Sequence, residues 1–263
     1  MFNIKMILTS SLLLSAMLLA QNTYLTKEKL SSLKDNGILK RANISVIEGI
    51  DEGKTYFLQL EVKGKRGTKQ INCFIDKETG FTYTGKRYDK KGIPSVFPMS
   101  PERVAVLKKV VEEGSSFTYG KGSKHLYLFT DPECPYCIKF EKSAKGLLED
   151  YTVHVILYPL KFHKKAPAMT EWIMQGADDK EKHQRMEELM VDNSAAYTAF
   201  LSKDNKPFKY TNTVKDTLDK GAKAVKALKV TGTPMLFDEN MTKINWGALL
   251  NSEKQKKEAT KTK

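Results

Sequence analysis

The stretch FTDPECPYCIKFEK, Phe129 to Lys142, carries two of the three cysteines in this chain. Cys134 and Cys137 flank Pro135-Tyr136, and the apolar run Leu126-Tyr127-Leu128-Phe129 leads into them. A continuous apolar run of this length suits a strand buried on both faces. The segment from Pro135 onward reads as a helix: Pro135 lacks an N–H and its φ is pre-set for the first helical position. Cys134 therefore stands where a strand hands over to a helix. It meets free backbone N–H groups and the positive helix end, and both favour a thiolate. Cys137 lies about one turn further on the same face, so it can close a disulfide with Cys134 and can resolve a mixed disulfide by attacking it. The expected roles are unequal, with Cys134 the exposed nucleophile and Cys137 the more buried resolver.

Three other uses of a close thiol pair fit less well. A structural zinc site needs four ligands, usually two such pairs or a pair with spaced histidines. Only Cys73 remains, and His125, His154, His163 and His183 show no ligand spacing. Covalent haem needs a histidine directly after the second cysteine, where this chain has Ile138. A purely structural disulfide closing so short a loop would add little, because the entropic gain grows with loop length.

Outward from the pair, the apolar run His125 to Thr130, a helix reaching about Asp150, and the second apolar strand Val153 to Tyr158 compose a β-α-β unit. A long helical region follows, with Met169, Trp172, Ile173, Met186, Leu189 and Met190, and Val225 to Val230 closes another helix. Met235 to Phe237 and Ile244 to Trp246 read as short strands, and a last helix begins near Gly247. Thr231-Gly232-Thr233-Pro234 precedes the first of these strands, and a proline there marks a bend or a cis bond.

The front half has a different pattern. Thr26 caps a helix with Leu30 and Leu33 on one side and Gly37 as its stop. Tyr56, Leu58, Leu60 and Val62 alternate with Phe57, Gln59, Glu61 and Lys63, as in a sheet with one wetter face. Ile71, Cys73 and Ile75 alternate likewise, and Lys77 to Gly80 turns into a strand from Phe81 to Tyr88. Residues 25 to 93 thus read as a small helix-plus-antiparallel-sheet unit. Pro94, Pro98 and Pro101 punctuate a boundary; Ser100 caps a connecting helix; Gly114 to Gly122 reads as a loose joint. Cys73, between Ile71 and Ile75, is expected to face inward and pack as a small hydrophobe.

Lysines and arginines number 44 against 31 aspartates and glutamates, a net charge of +13. The basic runs Lys63-Gly64-Lys65-Arg66 and Lys86-Arg87 sit near turn signals, and the tail from Glu253 to Lys263 is lysine-rich. No aromatic ladder runs through them, so the charge reads as a solvated surface and not as a nucleic-acid footprint. Residues 1–20 read as a signal peptide: Lys5 precedes the apolar run Ile7 to Ala20, too short to span a bilayer as a helix. Export would place the thiols where they can be oxidised.

FTDPECPYC followed by TGTP resembles the thioredoxin superfamily. With the export signal and the preceding sheet unit, the whole mature chain resembles the bacterial periplasmic DsbC/DsbG family of thiol:disulfide interchange proteins. The resemblance implies an α+β chain. It would have a signal peptide at 1–20, a cystatin-like dimerisation domain of helix plus antiparallel sheet at 21–98, and a linker helix and joint at 99–120. A thioredoxin-like catalytic domain with a helical insertion would fill 121–263. It implies Cys134 and Cys137 as the redox pair and Pro234 in cis. Pro135, Tyr136, Thr233 and Pro234 would contact substrate, which adds as an extended strand. It further implies a V-shaped periplasmic homodimer with an uncharged cleft for misfolded or misoxidised exported proteins, kept reduced by a membrane thiol–disulfide electron donor. No cofactor, metal or nucleic acid is expected. Pro-Tyr between the cysteines is like DsbG, whereas Thr before the proline is like DsbC. The expected activity is disulfide isomerase or reductase. The alternatives are a net dithiol oxidase, or a periplasmic holdase in which the thiols are secondary.

Overall fold

The structure, a computed structural model, describes residues 23–90, 92, 94–192, 194–201 and 209–261. The expected signal segment lies outside the described residues. The chain divides into two compact units, with the break between Pro98 and Met99.

The first unit is an antiparallel meander: β1 (Thr23–Tyr24), β2 (Ile44–Asp51), β3 (Thr55–Gly64), β4 (Gly67–Asp76) and β5 (Thr82–Thr84), paired in sequence order. Helix α1 (Lys27–Leu33) begins at Thr26, whose hydroxyl accepts from the Lys29 N–H at 3.3 Å. Its Leu33 joins Leu39, Leu58, Leu60, Cys73 and Ile75 in one apolar cluster. Cys73 is fully buried there, as the inward alternation predicts.

Two details differ from the pattern reading. The face taken as wetter carries its own small cluster, in which Phe57 stacks on Phe74 at 4.6 Å and meets Phe97 edge-on at 5.0 Å. Arg87 covers both Phe57 and Phe74 while its guanidinium holds Glu52 in a fork of 2.6 and 2.8 Å. The strand expected to reach Tyr88 stops at Thr84, because Gly85 takes a φ of 146° that leaves the ladder.

The second unit is built on a five-stranded sheet in the order β10-β9-β7-β8-β6. Its elements run α2 (Pro101–Glu113), β6 (Phe117–Tyr119), β7 (Lys124–Thr130), α3 (Pro135–Ala144), β8 (Tyr151–Leu157), α4 (Ala166–Met174), α5 (Asp179–Met190), α6 (Ala195–Leu201), α7 (Asn212–Ala227), β9 (Met235–Asp238), β10 (Lys243–Ile244) and α8 (Trp246–Lys261). β7 pairs in parallel with β8 and antiparallel with β9. Strand side chains alternate faces. Leu126 and Leu128 accordingly pack with Phe140, Val155, Trp172 and Ile173 on one side. Tyr127 and Phe129 pack with Val111, Ala224 and Phe237 on the other. Burial on both faces explains the unbroken apolar run.

The stretch read as connector and joint is folded into this unit. Ser100 caps α2 by accepting from the Arg103 N–H at 3.2 Å, and α2 packs along α7. β6 pairs with β8. The glycines of the supposed joint permit close approach: a Cβ at Gly120 would lie 2.2 Å from the Tyr151 carbonyl oxygen, and one at Gly122 only 1.8 Å from the Asp150 carbonyl carbon. Helix α3 is also shorter than expected, ending at Ala144, with Gly146 at φ 70° beyond it. Trp246, read as the end of a strand, opens α8.

Candidate active site

The site forms where β7 meets α3. Cys134 is the N-cap residue of α3 and Pro135 opens the helix. Both Cys134 and Cys137 are free thiols. Cys134, expected as exposed, is covered to 5% exposure, whereas Cys137 is at 0%. The cover comes from the loop before β9: the Thr233–Pro234 peptide bond is cis, and the Cys134 Sγ lies 3.5 Å from the Thr233 carbonyl oxygen. The order of accessibility between the two sulfurs is the one expected, but the nucleophile presents only a narrow window. Tyr136, between them, is exposed.

Cys137 sits beneath. The Asp131 N–H donates to its Sγ at 3.4 Å. The hydroxyls of Thr130 and Thr233 are buried without a full hydrogen bond. Burial pushes the Cys137 thiol up to about 12, opposed in part by Thr130, Thr233 and the Asp131 N–H. Cys137 is thus held as a thiol at neutral pH, with three groups ready to favour its thiolate.

Sequence reasoning missed the acidic residues that precede Cys134. Asp131 is fully buried. Its carboxylate accepts from the Leu160 N–H at 2.7 Å, the Glu133 N–H at 2.9 Å and the His163 ring Nδ1 at 2.8 Å. Glu133 accepts from the N–H groups of Lys165 and Ala166 at 2.6 and 2.8 Å, at the start of α4. Asp131-Pro132-Glu133 therefore ties the cysteine loop to residues 160–166, which lead into the helical insertion. Phe162, exposed, rides on this tied loop, its ring against His163. The only local signal in the sequence was an Asp-Pro turn; the partners stand about thirty positions away.

Residues 118–246 match the family model described as a thioredoxin-like domain. No curated protein matches the chain in sequence. Among solved structures, the chain is similar to a periplasmic thioredoxin-like protein from Salmonella enterica serovar Typhimurium. That match has 16% identity and a TM-score of 0.42, and covers 56% of this chain and 95% of that one. It is similar to DsbG of Helicobacter pylori at 14% identity and a TM-score of 0.38, over 80% of this chain and 98% of that one. It is also similar to a disulfide interchange protein from Neisseria gonorrhoeae at 15% identity and a TM-score of 0.39, over 54% and 96% respectively. The second unit carries a thioredoxin-like domain, preceded by an antiparallel sheet unit, consistent with the resemblance to DsbC/DsbG-type proteins. A thioredoxin-like domain with a free C-x-x-C pair supports a thiol–disulfide oxidoreductase role.

Proposed function

We propose that the protein is a periplasmic thiol:disulfide interchange enzyme, an isomerase or reductase of disulfides in exported proteins. The observation that supports this best is the unequal pair. Cys134 caps a helix under a narrow window bounded by Thr233, and Cys137 is fully buried behind it. Cys134 attacks one sulfur of a substrate disulfide as a thiolate, forming a mixed disulfide and releasing the other sulfur as a thiolate. The freed substrate thiolate attacks a different substrate disulfide, and the thiolate released there attacks the substrate sulfur of the mixed disulfide, which frees Cys134 as a thiolate and completes an isomerisation. If reshuffling stalls, Cys137 gives up its proton and attacks the Cys134 sulfur. The substrate leaves reduced, and Cys134 and Cys137 are left as a disulfide. Two electrons have then passed to the substrate, and a membrane dithiol donor restores the pair.

Pro135, Tyr136, Thr233 and Pro234 form the substrate-contacting rim in this reading, with the Thr233 backbone pairing to an extended chain. The periplasmic assignment rests on the signal-like first twenty residues. Among the described residues no helix is long and apolar enough to cross a membrane. The first unit acts as the dimerisation domain, its exposed Phe81, Tyr83 and Tyr88 offering apolar surface. The same surface favours a second reading, a holdase that binds unfolded chains without using its thiols.

The test is reactivation of scrambled ribonuclease by wild type and Cys134→Ser, with light scattering for mass. Loss of reactivation with retained suppression of aggregation supports the enzyme reading and separates it from the holdase. Reactivation that survives Cys134→Ser overturns it.

A further inference from the structure

Glu141 lies on α3, two turns past Cys134 and one turn past Cys137. It is buried, and its Oε1 has no hydrogen-bond partner. It lines a cavity of about 260 Å³ shared with Tyr119 of β6, His183 and Glu187 of α5, and Lys145 and Glu149 beyond α3. Tyr119 and His183 stack ring on ring, their centroids 3.8 Å apart and their planes 9° from parallel. The cavity abuts the last turn of α3, where the negative end of a helix dipole favours a cation.

An orphaned buried carboxylate oxygen is costly and calls for a donor. Glu141, Glu187, a helix C-terminus and an aromatic pair together favour positive charge, whereas Glu149 is already paired with Lys257 at 2.9 Å. A metal ion fits poorly, because no group of three His, Cys, Asp or Glu side chains among the described residues converges for one. A nitrogen cation supplies both the charge and the N–H donors, and a guanidinium or ammonium head with a short stem suits a cavity of this size.

We propose that this cavity binds a small organic cation carrying N–H donors, a guanidinium or primary ammonium group, held by Glu141 and Glu187 beside the Tyr119–His183 stack. Burial and the Glu187 charge push the Glu141 carboxyl up to about 8, so the empty site keeps a proton near neutrality. Burial lowers the His183 imidazole, which leaves it uncharged and makes Lys145 the one cation among the described lining residues. Binding displaces the Glu141 proton.

Calorimetric titration of the mature chain tests this, with agmatine and putrescine as probes and choline as a cation without N–H donors. An arginine tripeptide blocked at both ends distinguishes a protein side chain from a free amine, and saturable binding of either source supports the site. The expected result is saturable binding with proton release at neutral pH. It should be weakened at least about tenfold, 1.4 kcal/mol, by Glu141→Gln and by Glu187→Gln, while both variants keep the wild-type circular dichroism. Choline should bind at least as weakly as agmatine does to those variants. No saturable binding to wild type, equal binding of choline, or unchanged affinity in both variants would overturn the proposal.

Discussion

The Asp131 carboxylate accepts from the His163 ring Nδ1 at 2.8 Å, and the carboxylate is fully buried. Asp131 also accepts from two backbone N–H groups, and its own N–H donates to Cys137. Replacing it with alanine leaves all three donors unmatched. The expected loss of stability for Asp131→Ala is about 3–5 kcal/mol, the range for removing one partner of a buried charge-assisted network. His163→Ala, whose ring is partly exposed, should lose about 1–2 kcal/mol. Urea unfolding of both variants checks the order. If Asp131→Ala is no less stable than His163→Ala, the carboxylate does not organise the loop.

The fold was legible where one physical rule governed a segment. The apolar run before Cys134 announced a doubly covered strand, and Pro135 after it announced the helix start. Gly114 to Gly122 misled for a specific reason. A glycine selected for flexibility and one selected for the absence of a Cβ look the same in sequence, and Gly120 and Gly122 are the second kind. At the site, the cysteines and Thr233-Pro234 were readable because their chemistry is carried by residue type. The Asp131–His163 and Glu133–Ala166 ties were not. They join residues about thirty positions apart through β8, and nothing local to either partner specifies the other. The 5% exposure of Cys134 was likewise set by a loop one hundred positions away.

The unequal cysteines predict different behaviour for the two serine variants. Cys137→Ser removes the resolver and leaves Cys134 able to attack, so mixed disulfides with protein substrates should accumulate on non-reducing gels. Cys134→Ser should accumulate none, since burial holds Cys137 as a thiol pushed up to about 12. Comparable trapping by both variants would make the two thiols interchangeable and sink the assignment of roles.

Cys73 offers a contrast within the same chain. It is fully buried in the first unit, and burial raises its thiol to about 11. A thiol-reactive dye added to the reduced native protein should therefore label Cys134 first and leave Cys73 unlabelled until denaturant is added. Cys73→Ser buries a hydroxyl in an apolar cluster and should destabilise by about 1–3 kcal/mol without changing disulfide exchange. Native-state labelling of Cys73 at the rate of Cys134, read by peptide mass spectrometry, would contradict its placement in the core.

Glu141 makes stability depend on pH. Its carboxyl is pushed up to about 8 by burial and by the charge of Glu187, against an ordinary value of 4.5. Between these values the folded chain holds a proton that the unfolded chain has released. Stability rises with pH only where the unfolded state binds more protons. Here the folded state binds more, so this residue's contribution falls as pH rises from about 4.5 to about 8 and is flat on either side. Glu141→Gln keeps the shape of the protonated acid and cannot ionise. Without added amines, it should match wild type within about 0.5 kcal/mol near the acid end of that range, the spread of a neutral substitution. It should exceed wild type by about 1–3 kcal/mol near the alkaline end, the scale of an uncompensated buried polar group. Urea unfolding at both ends of the range decides it. A difference between variant and wild type that does not grow with pH would show that the Glu141 carboxyl is not held protonated by the fold.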